Sequence, residues 1–170
     1  FADTRSSLKI IDPEQRKYIE GLEAICSLAH HDKKISLYSP GYPTLDQKER
    51  VANPPNRVPL VLTHPISGEP AIYGLNSSTC AIVPKGQKVS QSDLDYWDLE
   101  GREDDSVKIL RDLLPFMTSP DFTVKWTWQE GDIVIWDNRC TMHAATGFDD
   151  KSHIREMWRL TLLQTNTKAI

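Results

Sequence analysis

Apolar residues recur along this chain in two rhythms, and the rhythm changes near residue 122. Over residues 12 to about 29, Tyr18, Ile19, Leu22, Ile25, Cys26 and Ala29 recur at helical spacing. Asp12 stands as N-cap, Pro13 at the first helical position and Gln15 where a capping box closes. One face of that helix should pack on a core. Residues 30–59 are polar, proline-rich and too irregular for regular elements, and the length suits a functional or mobile covering loop. VPLVLTHPISGEPAIYGL then predicts strands at 58–63 and 71–75 joined by a turn at Ser67-Gly68. Val107, Leu110, Leu113, Leu114 and Met117 mark a helix within 106–119, which Pro115 should bend or end because it lacks the backbone donor. From Phe122 the period is two: Phe122, Val124, Trp126 and Trp128 alternate with Thr123, Lys125 and Thr127. A turn at 130–132, a strand at 133–136 and a third at 155–163 follow. Without repeats or regular βαβ alternation, this pattern favours a mainly antiparallel sheet or barrel with helices laid against it.

Composition adds bounds. The 170 residues, 39% apolar and 26% charged, suit a single soluble domain with its own core. A net charge of −4 with no arginine-lysine block disfavours nucleic acid as a partner. No apolar run approaches the roughly 20 residues of a membrane span, and FADTRSSLKI has no signal-peptide pattern, so the expected compartment is the cytoplasm. That opening, without a methionine, reads as a chain entered part-way. Cys26, Cys80 and Cys140 have no metal-knuckle spacing and read as reduced thiols. Residues 84–105 carry seven acids against Lys85, Lys88 and Arg102, a charge balance typical of solvated surface.

The chemistry concentrates in GDIVIWDNRCTMHAATGFDDKSHIREMWR, residues 131–159. On a strand through REMWRLTLL, Arg155, Met157 and Arg159 share one face while Glu156 and Trp158 share the other. On a solvated face the two arginines would be ordinary surface charges. Facing into a barrel, two permanently charged guanidinium groups require anions, and a dicarboxylate would satisfy them bidentately. His143, a short loop earlier, could hold a metal beside that anion. Cys140 and His143 make half a zinc site with no second pair, and a Cys140/His143 hydrolase lacks an acid partner and an oxyanion hole.

FADTR at the start, THPxSG at 63–68, and GDIVIWDNRCTMH followed by Arg155 and Arg159 together resemble the TauD/TfdA family of Fe(II)- and 2-oxoglutarate-dependent oxygenases. The resemblance covers nearly the whole chain apart from an acidic insertion near 84–105, and corresponds to the C-terminal two-thirds of the family domain. It implies a mainly β fold with flanking helices, a double-stranded β-helix or jelly roll incomplete at its N-terminus, in one domain over 1–170. It implies Fe(II), 2-oxoglutarate as cosubstrate and O2, with hydroxylation of a small, anionic organic substrate and release of succinate and CO2. His143 matches the distal histidine of the two-histidine, one-carboxylate triad, whose open positions admit the oxoacid and dioxygen. Arg155 matches the arginine that binds the distal carboxylate of 2-oxoglutarate, and Arg159 the second arginine, near the oxoacid's other end and within reach of an anionic substrate. Asn76 falls where the family lines its substrate pocket, and Trp136, Asp137 and Asn138 shape the strand end. No catalytic side chain beyond the metal centre is implied.

The family's remaining ligands, a His-x-Asp or His-x-Glu pair, lie before its FADxR stretch, and so does its oxoacid-binding threonine. His30-His31-Asp32 offers a substitute His-x-Asp, but it follows a helix and reads better as a polar helix terminus. The expected partner is a small molecule, with neither nucleic acid nor membrane, and a homo-oligomer is compatible with the sequence. The alternative function is a non-catalytic or truncated jelly-roll domain that binds small anions or is structural.

Overall fold

Three short antiparallel sheets and five helices make up the residues that the structure, a computed structural model, describes: 1–90, 105–149 and 151–162. Strand β1 (Ala2–Asp3) runs into helix α1 (Thr4–Ile10), whose N-cap Asp3 accepts the Arg5 N–H. Helix α2 (Pro13–Glu20) starts as the sequence predicts, with the Asp12 carboxylate accepting the Glu14 and Gln15 amides. It stops at Gly21 rather than continuing to residue 29. Residues Leu22–Cys26 form strand β2, and a new helix α3 (Leu28–Tyr38) begins with Ser27 accepting the His30 N–H. A short apolar run has no period that separates strand from helix, and here pairing on both sides decides for strand. β2 is the middle of the three-stranded sheet β3-β2-β6, paired with β3 (Asn56–Pro59) on one side and β6 (Thr79–Pro84) on the other.

The expected irregular stretch at 30–59 is therefore corrected. It holds α3, helix α4 (Gln47–Ala52) with a complete Asp46/Glu49 capping box, and β3. Polarity misled because α4 has no buried residue and needs no apolar stripe. Strands β4 (Val61–Thr63) and β5 (Pro70–Ile72) form the expected hairpin, with Gly68 at φ +72° in its turn. Helix α5 (Asp105–Met117) keeps Pro115 inside its last turn and ends two residues later, in keeping with the lost backbone donor. The core unites these elements: Leu8, Ile19, Leu22, Leu60, Ile72, Ile82, Leu113 and Met117 pack in one cluster. Residues 91–104 of the acidic insertion lie outside the described residues.

The largest difference from expectation follows α5. The predicted strands at 122–128, 133–136 and 155–163 are not strands over their described residues. A 3-10 turn, Pro120–Phe122, leads to an isolated bridge between Ala2 and Thr123, and only β7 (Thr141–Met142) pairs, with β1. Alternation gives a segment a face to bury but no partner. Apart from that one bridge to β1, no strand among the described residues pairs with these segments, and most of their apolar side chains stand exposed. The fold described here is thus mixed helix and strand with small sheets, not the mainly β architecture expected.

Candidate functional site

The FAD segment organises the candidate site because two distant stretches hydrogen-bond to it. Phe1 exchanges backbone hydrogen bonds with Val124, Ala2 and Asp3 pair with Met142 and Thr141, and the Thr4 N–H donates to the Cys140 carbonyl at 3.1 Å. This sets His143, the residue after β7, against two aromatic rings. Its imidazole lies 4.8 Å from the Trp136 ring and 6.2 Å from the Phe1 ring, centroid to centroid, and those two rings are 5.3 Å apart. Trp136 is oriented in turn by its indole N–H, which donates to Asn138 Oδ1 at 2.8 Å. The His143 residue is exposed, yet its pKa is lowered, first by partial burial of the ring, then by the Arg159 charge and the terminal ammonium. Each cause disfavours the imidazolium, so the neutral ring, the form with a lone pair to give a metal, is favoured.

Of the other residues singled out from sequence, Arg159 is thus brought within electrostatic reach of His143. Arg155 lies on an exposed, extended segment with its Cζ 4.4 Å above the Phe148 ring. Such a cation–π contact does not consume the guanidinium's N–H donors, which stay available to an anion. Asn76 is occupied by its own turn: its Oδ1 accepts the Ser78 amide and hydroxyl, and its Nδ2 donates to Cys26 Sγ at 3.6 Å. His30 and Asp32 stand on helix α3. Two positions apart on a helix, their side chains diverge by about 200°. Asp32 instead accepts the Leu45 N–H.

Sequence reading missed a second histidine. Buried His64, in the THPxSG stretch, accepts the Ile66 and Ser67 amides on Nδ1 at 3.3 and 3.1 Å. An Nδ1 that accepts carries no proton, so Nε2 does, and Nε2 donates to Asp137 Oδ2 at 3.0 Å. Asp137 also takes the Arg139 guanidinium and the Arg139 N–H. Its pKa is lowered chiefly by Arg139, with His64 adding to the effect against some desolvation. The available signal was the turn chemistry itself, a histidine two and three residues before the backbone donors of a Pro-x-Ser-Gly turn. His64, Asp137 and Cys140 are also the one group of three metal-capable side chains among the described residues, all within 4.8 Å of one another. The tautomer argues against a metal there, since the Nε2 that faces the group carries the proton.

Residues 1–161 match the family described as taurine catabolism dioxygenase TauD, TfdA family. The chain belongs to the TauD/TfdA family. It is 30% identical over 164 residues to the alpha-ketoglutarate-dependent 2,4-dichlorophenoxyacetate dioxygenase of Burkholderia sp., covering 96% of this chain and 47% of that protein. An alpha-ketoglutarate-dependent sulfate ester dioxygenase of Pseudomonas putida is 35% identical over 104 residues, 61% of this chain and 29% of that one. Among solved structures, AAD-2 in complex with Mn(II) and N-oxalylglycine superposes with a TM-score of 0.53 at 26% identity, over 75% of this chain and 42% of that one. The chain spans about half the length of the curated TauD/TfdA relatives with which it aligns end to end.

Proposed function

We propose that this chain carries the C-terminal portion of an Fe(II)- and 2-oxoglutarate-dependent dioxygenase site, acting on a small, anionic organic substrate. The observation that supports it most is His143: a neutral-favoured imidazole at a strand end, held against Phe1 and Trp136, with Arg159 beside it. When bound, Fe(II) with 2-oxoglutarate and O2 would supply the oxidising power for hydroxylation, with release of succinate and CO2. His143 fits such a group as one ligand, although it belongs to no cluster of three metal-capable side chains among the described residues. Arg155 would hold the distal carboxylate of the oxoacid and Arg159 the nearer end or a substrate anion, each through charge-assisted N–H donors. Asn76 would offer substrate its Nδ2, the amide end not committed to Ser78.

We assign the whole protein the jelly roll of its family, with 122–136 and 155–163 as paired strands, a single domain over 1–170, and a cytoplasmic location. The Burkholderia and Pseudomonas relatives, both named as dioxygenases, weigh against a non-catalytic anion-binding domain. The test is anaerobic titration of the chain with Fe(II) and 2-oxoglutarate, following the weak visible charge-transfer band of the chelate. The band should vanish in His143→Ala, and Arg155→Ala should need about tenfold or more 2-oxoglutarate to reach it, the loss typical of an ion-paired contact. A band of equal strength in His143→Ala would overturn the assignment of this site.

A further inference from the structure

We propose that His64 and Asp137 form a positioning pair that fixes where His143 stands, a role that rests on the reading of His143 as a metal ligand. The two residues belong to separate stretches, the β4–β5 turn and the segment before β7, 73 positions apart. Each end of the pair is fixed independently. The two amides on Nδ1 lock the His64 ring to its turn, and the hairpin backbone closes around it, with the His64 N–H donating to the Glu69 carbonyl and its own carbonyl accepting the Gly68 N–H. At the other end Asp137 is gripped by Arg139, and its carbonyl accepts the Cys140 N–H at 3.2 Å. Cys140 then leads through Thr141 and Met142 to His143. Pairing with β1 fixes the backbone of 141–142 and the Thr4 N–H holds the Cys140 carbonyl at the end of the preceding turn, while at the start of that turn His64 supplies a side-chain anchor from 73 positions away.

The geometry separates what each His64 substitution removes. His64→Asn can still accept the Ile66 and Ser67 amides through Oδ1, as an Asx turn does, but cannot reach Asp137. His64→Gln places an N–H donor near the former Nε2 and so preserves the long-range bond. Asp137→Ala removes both carboxylate oxygens and so breaks the pair from the other side, leaving the His64 Nε2–H without its acceptor.

The test uses the full chain labelled at its histidines. Stacked against Phe1 and Trp136, the His143 ring protons should be displaced by ring currents, and the displacement should collapse in His64→Asn and Asp137→Ala while core methyl signals from Leu8 and Leu60 persist. His64→Gln should restore it. Co(II) affinity should fall about tenfold in the first two variants and recover in His64→Gln, the range seen when a ligand's supporting contacts are lost. Unchanged His143 signals in both His64→Asn and Asp137→Ala would overturn the pairing role. If the signals respond as expected but His143→Ala binds Co(II) as tightly as the parent, the metal reading fails and takes the proposal with it; the structural link alone then stands. Should His64→Asn not fold, Asp137→Ala carries the same test.

Discussion

Gly74 shows how closely single positions are constrained. A Cβ built there would meet Val58 Cγ2 at 2.8 Å and Ala24 Cβ at 3.0 Å, on backbone at φ +77°. The left-handed conformation costs an ordinary residue about 1–2 kcal/mol, and overpacking about 1–3 kcal/mol more. Gly74→Ala should therefore destabilise by roughly 2–5 kcal/mol, read as a lower urea midpoint at unchanged slope. Asp137 makes a pH prediction of defined sign. Its folded-state pKa lies below the ordinary carboxylate range, because Arg139 first and His64 second favour the ionised form. The stability it contributes is present above the unfolded carboxylate pKa near 3.9 and is lost as pH falls toward the folded value. Acid titration of thermal stability should thus show a steeper fall below about pH 4 in the parent than in Asp137→Asn, which has no such proton to bind. Equal slopes would mean that Arg139 and His64 exert no net pull on this carboxyl.

Elements are joined here by few but well-placed polar groups. The Ser106 hydroxyl, buried at the start of α5, both accepts the Ile82 N–H and donates to the Ile82 carbonyl, each at 2.8 Å. It clips α5 to the sheet. Ser106→Ala would leave two buried backbone groups of β6 without that partner, at a cost of about 1–3 kcal/mol, measurable by denaturant melting and by faster amide exchange at Ile82. Such clips were not legible in the sequence, since one serine among many carries no mark of its partner. What was legible had local causes. Asp12-Pro13 announced the start of α2, Ser67-Gly68 announced a hairpin turn, and the spacing of Val107, Leu113 and Met117 announced α5. The break at Gly21 was missed because Leu22, Ile25 and Cys26 continue the helical spacing, and only pairing with β3 and β6 turns them into a strand. Of the candidate site, His143 and Arg159 were singled out from sequence, and Arg159 lies within electrostatic reach of His143. His64 could not, because its partner is 73 residues away and its own signal is a turn.

At the scale of the whole molecule, the stretches on either side of β7, 124–135 and 154–162, are amphipathic with most of their apolar side chains unpacked. Ile135 is 88% exposed, Trp158 90% and Ile154 fully, and Ile133, Leu160 and Leu162 are similarly bare. On an extended backbone Trp158, Leu160 and Leu162 share one face, while Arg155 and Arg159 share the other. Such a segment is built to bury its apolar face in a core and present its arginines to a ligand, so both faces have a use only when it is paired. Left as it is among these residues, it offers unpaired backbone donors and acceptors beside a contiguous apolar surface, the combination that drives edge-to-edge association. The 170-residue chain should accordingly self-associate, with a weight-average mass that rises with concentration in sedimentation velocity and with strong binding of a hydrophobic dye. Replacing Ile135 and Leu160 by lysine should lower both, because charges on an exposed strand oppose pairing. The far-UV spectrum should not change, since neither side chain belongs to the packed cluster around Leu8 and Leu113. A monodisperse parent with no dye binding would mean that the apolar face is covered within the monomer, and the lysine variants would then lose stability instead of gaining solubility.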